Sequence, residues 1–229
     1  MNTNFLCVFD METGGVNPKT CQLTQIAAVI INPRTLRLEP GGEFNSEIQP
    51  ILDDEKAIAA GFDPISEEAL SVTRKTREKL ALAPPEKIVV EKFSQFIRKY
   101  NPSKTPYKAP IPCGYNIINY DMPIVERICE KYSLQYKGKQ ALFNNLYHID
   151  MIQHFFALSE NNPLIQSRKL GDCMDWLGMD KKLKENAHDA LTDVKNTANM
   201  IVKMLHFYRE IGKATDFKNA FLGKELLIK

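Results

Sequence analysis

Asp10 and Glu12 stand two positions apart at the end of an apolar run, Phe5-Leu6-Cys7-Val8-Phe9. The run reads as a strand buried on both faces, closed by Gly14-Gly15. Side chains alternate along a strand, so both acids share the face of Leu6 and Val8. Two carboxylates beside a core are costly unless neutralised, and a divalent cation does that best. Asp53-Asp54-Glu55 repeats the spacing in a stretch that reads as a loop or helix start. The pair alone therefore leaves a metal site and a solvated strand end both open.

Three further residues have types that such chemistry uses, and each also has a plain structural reading. Asp121 follows Gly114-Tyr115-Asn116-Ile117-Ile118-Asn119-Tyr120, and taken singly it is a first-turn acid favoured by the helix dipole. His188 and Asp193 are five apart, about 140° around one continuous helix and so on different faces. With Asp189 as N-cap, however, His188 stands just outside the helix and Asp193 one turn in, an arrangement that lets both face one cleft. Asp193 heads a stripe through Thr197, Met200 and Met204, which points it inward. His148, His154 and His206 stand in no such arrangement and read as structural.

The elements that must hold these residues follow from periodicity and punctuation. Gln22 to Asn32 reads as a second strand, closed by Asn32-Pro33-Arg34, and Gly42 to Gln49 as a third; together with the first they form an antiparallel meander. Residues 53–81 are helical in composition, with Ser66 as an N-cap. Pro84-Pro85 opens a helix to about Tyr100 whose stripe is Ile88, Val89, Phe93, Phe96 and Ile97. After a Pro-rich connection, Ile111 to Tyr115 is a fourth strand, with Pro112 in tension with that assignment. Asn119 caps a helix burying Ile124, Val125 and Ile128. Leu146 to Ile149 is a short fifth strand, and Asp150 opens the next helix. Lys169 to Leu177 is helical, ended by Gly178, and a long helix runs from about Asp189 to Tyr208. The result is a mixed α/β sheet in one domain, residues 1–229, with a helical insertion around 53–81 and a tail around 213–229. Phe217, Phe221, Leu222 and Leu226 of that tail either dock on the core or form a partner-binding stripe.

With 44% hydrophobic and 25% charged residues and a net charge of +2, the chain has an ordinary globular composition. No run of about 18 apolar residues marks a membrane span, and no basic-then-apolar leader opens the chain. Its five cysteines are widely spaced, with no CxxC pair, and read as reduced residues of a cytoplasmic protein.

As a set these residues resemble the three motifs of the DEDDh superfamily of 3′–5′ exonucleases: Asp10-x-Glu12, Asp121 after Asn116, and His188-x4-Asp193 opening a late helix. Gln25-Ile26-Ala27-Ala28-Val29 resembles the superfamily's second strand, and Arg168 to Gly178 resembles the segment before its third motif. His188 to Ala198 is similar to that motif along its length. Gly114-Tyr115-Asn116 looks most like the bacterial exonuclease I branch, which degrades single-stranded DNA. The resemblance covers roughly residues 5–206. The chain departs from it at Thr73-Arg74-Lys75, where the family often has a Gly-Ile pair that helps hold the terminal base, and it lacks exonuclease I's further C-terminal domains.

The resemblance implies an RNase H-like fold: a mixed five-stranded sheet of a three-strand antiparallel meander plus two parallel strands, flanked by helices. It also implies hydrolysis of the 3′-terminal phosphodiester of single-stranded DNA, releasing nucleoside 5′-monophosphates. Two Mg²⁺ or Mn²⁺ ions would be held by Asp10 between both, Glu12 and Asp193 on the water side and Asp121 on the other, with His188 as general base. Thr13, Gly14, Asn116 and Tyr120 are the expected substrate contacts, the first two through backbone N–H groups. Independently of the resemblance, the low net charge and lack of a long basic run leave Lys137 and Lys139, with Arg74 and Lys75, as the expected local grip on the strand. Tyr136 either stacks on a base or is a solvated loop tyrosine. A polymerase-bound proofreading subunit and an RNA 3′-end trimming enzyme are the alternatives. An inactive binding module is disfavoured by the full set of five site residues.

Overall fold

The computed structural model describes residues 4–101, 103, 105–160, 162–179 and 189–215. Its sheet has five strands, in the spatial order Arg37–Glu47, Leu23–Asn32, Leu6–Thr13, Ile111–Gly114 and Ile149–Asp150. β1 (Leu6–Thr13) lies at the centre, antiparallel to β2 (Leu23–Asn32), which is in turn antiparallel to β3 (Arg37–Glu47). On its other side β1 runs parallel to β4 (Ile111–Gly114). The mixed five-stranded sheet of the RNase H-like fold is thus present, completed by a short last strand.

Two apolar layers sandwich this sheet, and strand alternation decides which residue joins which. Cys7, Phe9 and Met11 face α4 (Glu86–Arg98) and α5 (Asp121–Lys131) together with Phe93, Ile97, Ile124 and Ile128. Leu6 and Val8 join Ala27, Val29 and Cys113 in the opposite layer. That layer also takes in α6 (Met151–Ser159), α7 (Leu170–Trp176) and α8 (Ala190–Thr215). Before α4 come three short helices, α1 (Asp54–Ala59), α2 (Glu67–Thr73) and α3 (Arg77–Ala81), capped by Asp53, Ser66 and Thr76. They pack around Ile65, Leu70 and Leu80.

Several boundaries differ from the sequence expectation, each for a local reason. β3 starts five residues earlier than Gly42, at Arg37; it is an edge strand, where Pro40 costs no ladder bond, and a register shift between Val29 and Ile31 absorbs Gly41. Ile88 is 42% exposed because it lies about 140° around α4 from Phe93, and buried Val90 belongs to the stripe instead. Tyr120, not Asn119, is the N-cap of α5, since the Asn119 side chain donates to Asn116 Oδ1 at 3.0 Å.

Leu146 and Tyr147 stay out of the sheet. Both backbone N–H groups donate to Asn144 Oδ1, at 2.8 and 3.0 Å, so the last strand, β7 (Ile149–Asp150), is only two residues long. Residues 135–140 form a hairpin rather than a plain loop, β5 (Gln135–Tyr136) and β6 (Lys139–Gln140), turned by Lys137 and Gly138 at positive φ. Pro112 does lie inside β4. Ile111 N–H donates to Phe5, so the next nitrogen faces away from β1, where β7 pairs only from Cys113 onward.

All five cysteines are free and buried. Among the described residues no helix is long and apolar enough to cross a membrane. α8 extends to Thr215, beyond the expected Tyr208, and residues 216–229 of the expected tail lie outside the described set.

Candidate active site

Asp10 and Glu12 sit opposite Ala27 and Gln25 in the β1–β2 register, on the face covered by α8. Asp121 is the first residue of α5 and reaches the same strand from the other layer. Its carboxylate accepts the Met11 backbone N–H at 3.0 Å, between the two acids of β1. Residues 110 positions apart are thereby joined at the end of the central strand. Gly114 makes the approach possible, since a Cβ there would fall 2.2 Å from Ile117 Cγ2 and 3.0 Å from the Phe9 carbonyl oxygen.

Asp189 caps α8: its Oδ2 accepts the Thr192 N–H at 3.1 Å, and its carbonyl accepts the Asp193 N–H at 3.0 Å. The expected N-cap is therefore in place and Asp193 lies one turn in. His188 lies outside the described residues.

The electrostatics tie these acids into one group. Burial pushes the Asp10 carboxyl well above the usual range, and the charges of Asp121, Glu12, Asp193 and Asp189 push it further. Glu12 rises to about 7 by burial, against the pull of Lys75 and with Asp193 and Asp189 adding to the rise. Asp121 rises to about 8, again chiefly by burial, against the hydrogen bond from Met11 and with Glu12 and Asp150 contributing. Such mutual elevation is the signature of carboxylates gathered without enough positive charge between them.

The RNase T exonuclease family model matches residues 7–201. The chain belongs to this exonuclease family. The DEDDh resemblance of its motifs stands with that match. No curated protein matches the exonuclease by sequence.

Solved structures resemble it at the level of fold. The nuclease domain of 3′hExo, a DEDDh family member bound to rAMP, superposes with a TM-score of 0.64 at 18% identity over 90% of this chain and 94% of that one. A 3′-exonuclease that recognises the 3′ end of the histone mRNA stem-loop gives a TM-score of 0.63 at 19% identity, over 89% and 82% of the two chains. Exonuclease I from E. coli in complex with a dT13 oligonucleotide gives 0.61 at 17% identity, over 92% of this chain but only 44% of its own. Exonucleases of this family are metal-dependent, and a zinc-bound exonuclease I is among the similar structures.

The turn after the carboxylates is knitted together rather than open. Thr13 Oγ1 and the Tyr120 hydroxyl are 2.5 Å apart and both lie near the Gly15 carbonyl, at 2.7 and 2.6 Å. Each hydroxyl has one proton, so one donates to the other and the second to Gly15, leaving lone pairs that accept. The Gly14 N–H donates to the Gln22 carbonyl at 2.8 Å, so the expected backbone donor at this position is already committed. Gly14 serves close packing instead, since a Cβ would fall 2.8 Å from Ile65 Cγ1.

Asn116 has φ of 60°, and its N–H donates to Asp150 Oδ1 at 2.7 Å while Ile118 N–H takes Oδ2 at 3.1 Å. Asp150, read from sequence only as a helix opener, is thus also the anchor of the loop that delivers Asp121. Lys75 is a second correction. Expected to grip the strand from solvent, it is 9% exposed, whereas Arg74, Tyr136, Lys137 and Lys139 are exposed as expected.

Proposed function

We propose that the exonuclease hydrolyses single-stranded DNA from its 3′ end, releasing nucleoside 5′-monophosphates, with two Mg²⁺ or Mn²⁺ ions held by Asp10, Glu12, Asp121 and Asp193. The observation that carries this reading is the Asp121–Met11 hydrogen bond, which sets a third carboxylate beside a strand already bearing two. Among the described residues no three His, Cys, Asp or Glu side chains stand around one ready-made metal position. The fit rests instead on the donor set, all carboxylate oxygen as Mg²⁺ requires, and on the crowding by which these buried acids push one another's pKa upward. Such cations, held there by these carboxylates, would supply Lewis-acid activation of water and charge stabilisation of the leaving 3′ oxygen.

The chain's own groups divide the remaining work. Asp10, whose neighbours include acids of both β1 and α8, would be the shared ligand; Glu12 and Asp193 would hold the water side and Asp121 the leaving side. His188 takes the proton of the attacking water, a role that imidazole chemistry suits near neutrality. Thr13, Tyr120 and Asn116 contact the terminal nucleotide, the two hydroxyls through their remaining lone pairs, and Gly14 shapes the turn. His188→Ala should lower kcat at least about a hundredfold with little change in KM. Near-wild-type turnover would return His188 to a structural role.

DNA is favoured by the Gly114-Tyr115-Asn116 resemblance to exonuclease I, and RNA trimming is the competing outcome of the same assay. Labelled single-stranded DNA, blunt duplex and RNA should be digested in that order of rate, with no activity after EDTA dialysis. Arg74, Lys137 and Lys139 are the exposed cations left for the strand. Three phosphate contacts at about 0.7 counterions each give a slope of log K against log salt near −2. Equal rates on duplex and single strand, or a slope steeper than about −4, would refute so short a grip.

A further inference from the structure

We infer that Lys75 is the resident counter-ion of the carboxylate site, a fixed cation that sets how tightly the site binds divalent metal. This rests on the reading that the site takes such ions.

The side chain of Lys75 is 7% exposed, and its Nζ is 3.9 Å from a carboxylate oxygen of Glu47, itself 45% exposed. Its hydrogen bond goes to Gln25 Oε1 at 2.6 Å. Gln25 lies directly across from Glu12 in the sheet. Its Nε2 donates to Asp189 Oδ1 at 3.2 Å and to Asn45 Oδ1 at 2.9 Å. A continuous polar chain therefore leads from Lys75 through Gln25 to the cap of α8, passing beside Glu12.

The local backbone explains how a lysine comes to point inward. Arg74 ends α2 with φ of 54°, and the Lys75 N–H closes back on the Leu70 carbonyl at 3.0 Å, reversing the chain just before α3. A buried ammonium is costly unless negative charge surrounds it. One half-exposed glutamate at 3.9 Å is a weak partner, and among the described residues Lys75 also acts on the charges of Glu12, in the site, and Asp189, the cap beside it. The effect runs both ways: Lys75 pulls Glu12 and Asp189 downward. Burial pushes Asp189 up, yet bonds from Gln25 and Thr192, with the charge of Lys75, leave it below the usual range. A solvent-facing phosphate grip is not open to so buried a group.

A cation built into the site does two opposed things. It relieves repulsion among the acids before metal binds, and it repels an incoming metal ion. Lys75→Met should therefore melt at a lower temperature than wild type in EDTA, yet bind Mn²⁺ about tenfold more tightly and gain more in melting temperature from it. Lys75→Arg, which keeps the charge, should keep the wild-type Mn²⁺ affinity. Both are read by titration calorimetry and thermal melts on the full chain. Should Lys75→Met fail to fold, Lys75→Gln removes the charge while keeping a donor for Gln25 and carries the same expectation. Wild-type or weaker Mn²⁺ binding in the neutral variant overturns the counter-ion role, because a lysine that only packs would lower stability without tightening the metal. No Mn²⁺ binding by wild type would instead remove the metal-site reading itself.

Discussion

Asp10→Asn should abolish hydrolysis and raise the melting temperature of the metal-free protein. Asn keeps the volume and removes the charge. The activity loss follows from position: Asp10 is the acid that faces both β1's second carboxylate and those of α5 and α8. On the proposed assignment of Asp10 as shared ligand, its loss should remove several kcal/mol of charge stabilisation, about a 10⁴-fold fall in kcat or more. The stability gain follows from the same neighbours. Burial and four nearby carboxylates hold the Asp10 acid far above its ordinary range, so its ionised form strains the fold. An amide ends that strain. Activity and stability thus move in opposite directions in one variant, as expected where a site is kept for function at the expense of the fold. Melts in EDTA and a single-turnover assay with excess Mg²⁺ check the two halves. Undiminished nuclease activity in the purified variant would falsify the ligand assignment.

The sheet was legible where local pattern and global fold agree. The apolar run from Phe5 to Phe9 is the central strand because nothing but burial suits five such residues, and the alternation of Asp10 and Glu12 survives in the β1–β2 register. Asp189 was legible as a cap because a capping carboxylate needs only its own next residues. What could not be read depends on partners remote in sequence. Nothing beside Asp150 announces that its carboxylate ties down Asn116 and Ile118. Nothing at Gly14 says that its N–H is taken by Gln22, a choice made by the bulge that ends the β1–β2 ladder at Thr13. Lys75 was the deepest misreading. A lysine among Thr, Arg and Thr has the look of a solvated loop, and only the left-handed turn at Arg74 sends it inward. Sequence patterning reports faces of regular elements; it is silent on a side chain aimed by one dihedral angle.

The metal-free protein should lose stability as pH rises, opposite to most acid-rich proteins. Glu12 and Asp121 have folded values of about 7 and about 8, against roughly 4.3 and 3.9 for the free side chains. Below those ordinary values both acids are protonated in the folded and unfolded chain alike, and the fold bears no penalty. As pH climbs, the unfolded chain ionises first and binds fewer protons than the folded one, so stability falls until the folded acids ionise too. The loss spans about pH 4 to 8 and should lower the melting temperature in EDTA by several degrees. Divalent metal bound at the proposed site should reverse the slope, because binding requires the ionised acids and therefore strengthens as they lose their protons. At about a hundred times its Kd, Mg²⁺ adds about 2.7 kcal/mol, and the gain should be larger at pH 8 than at pH 6. Asp121→Asn should flatten the EDTA slope while leaving Glu12's part of it. A metal-free melting temperature that holds level or rises between pH 5 and 8 would mean that these carboxylates do not share one charge-crowded cleft.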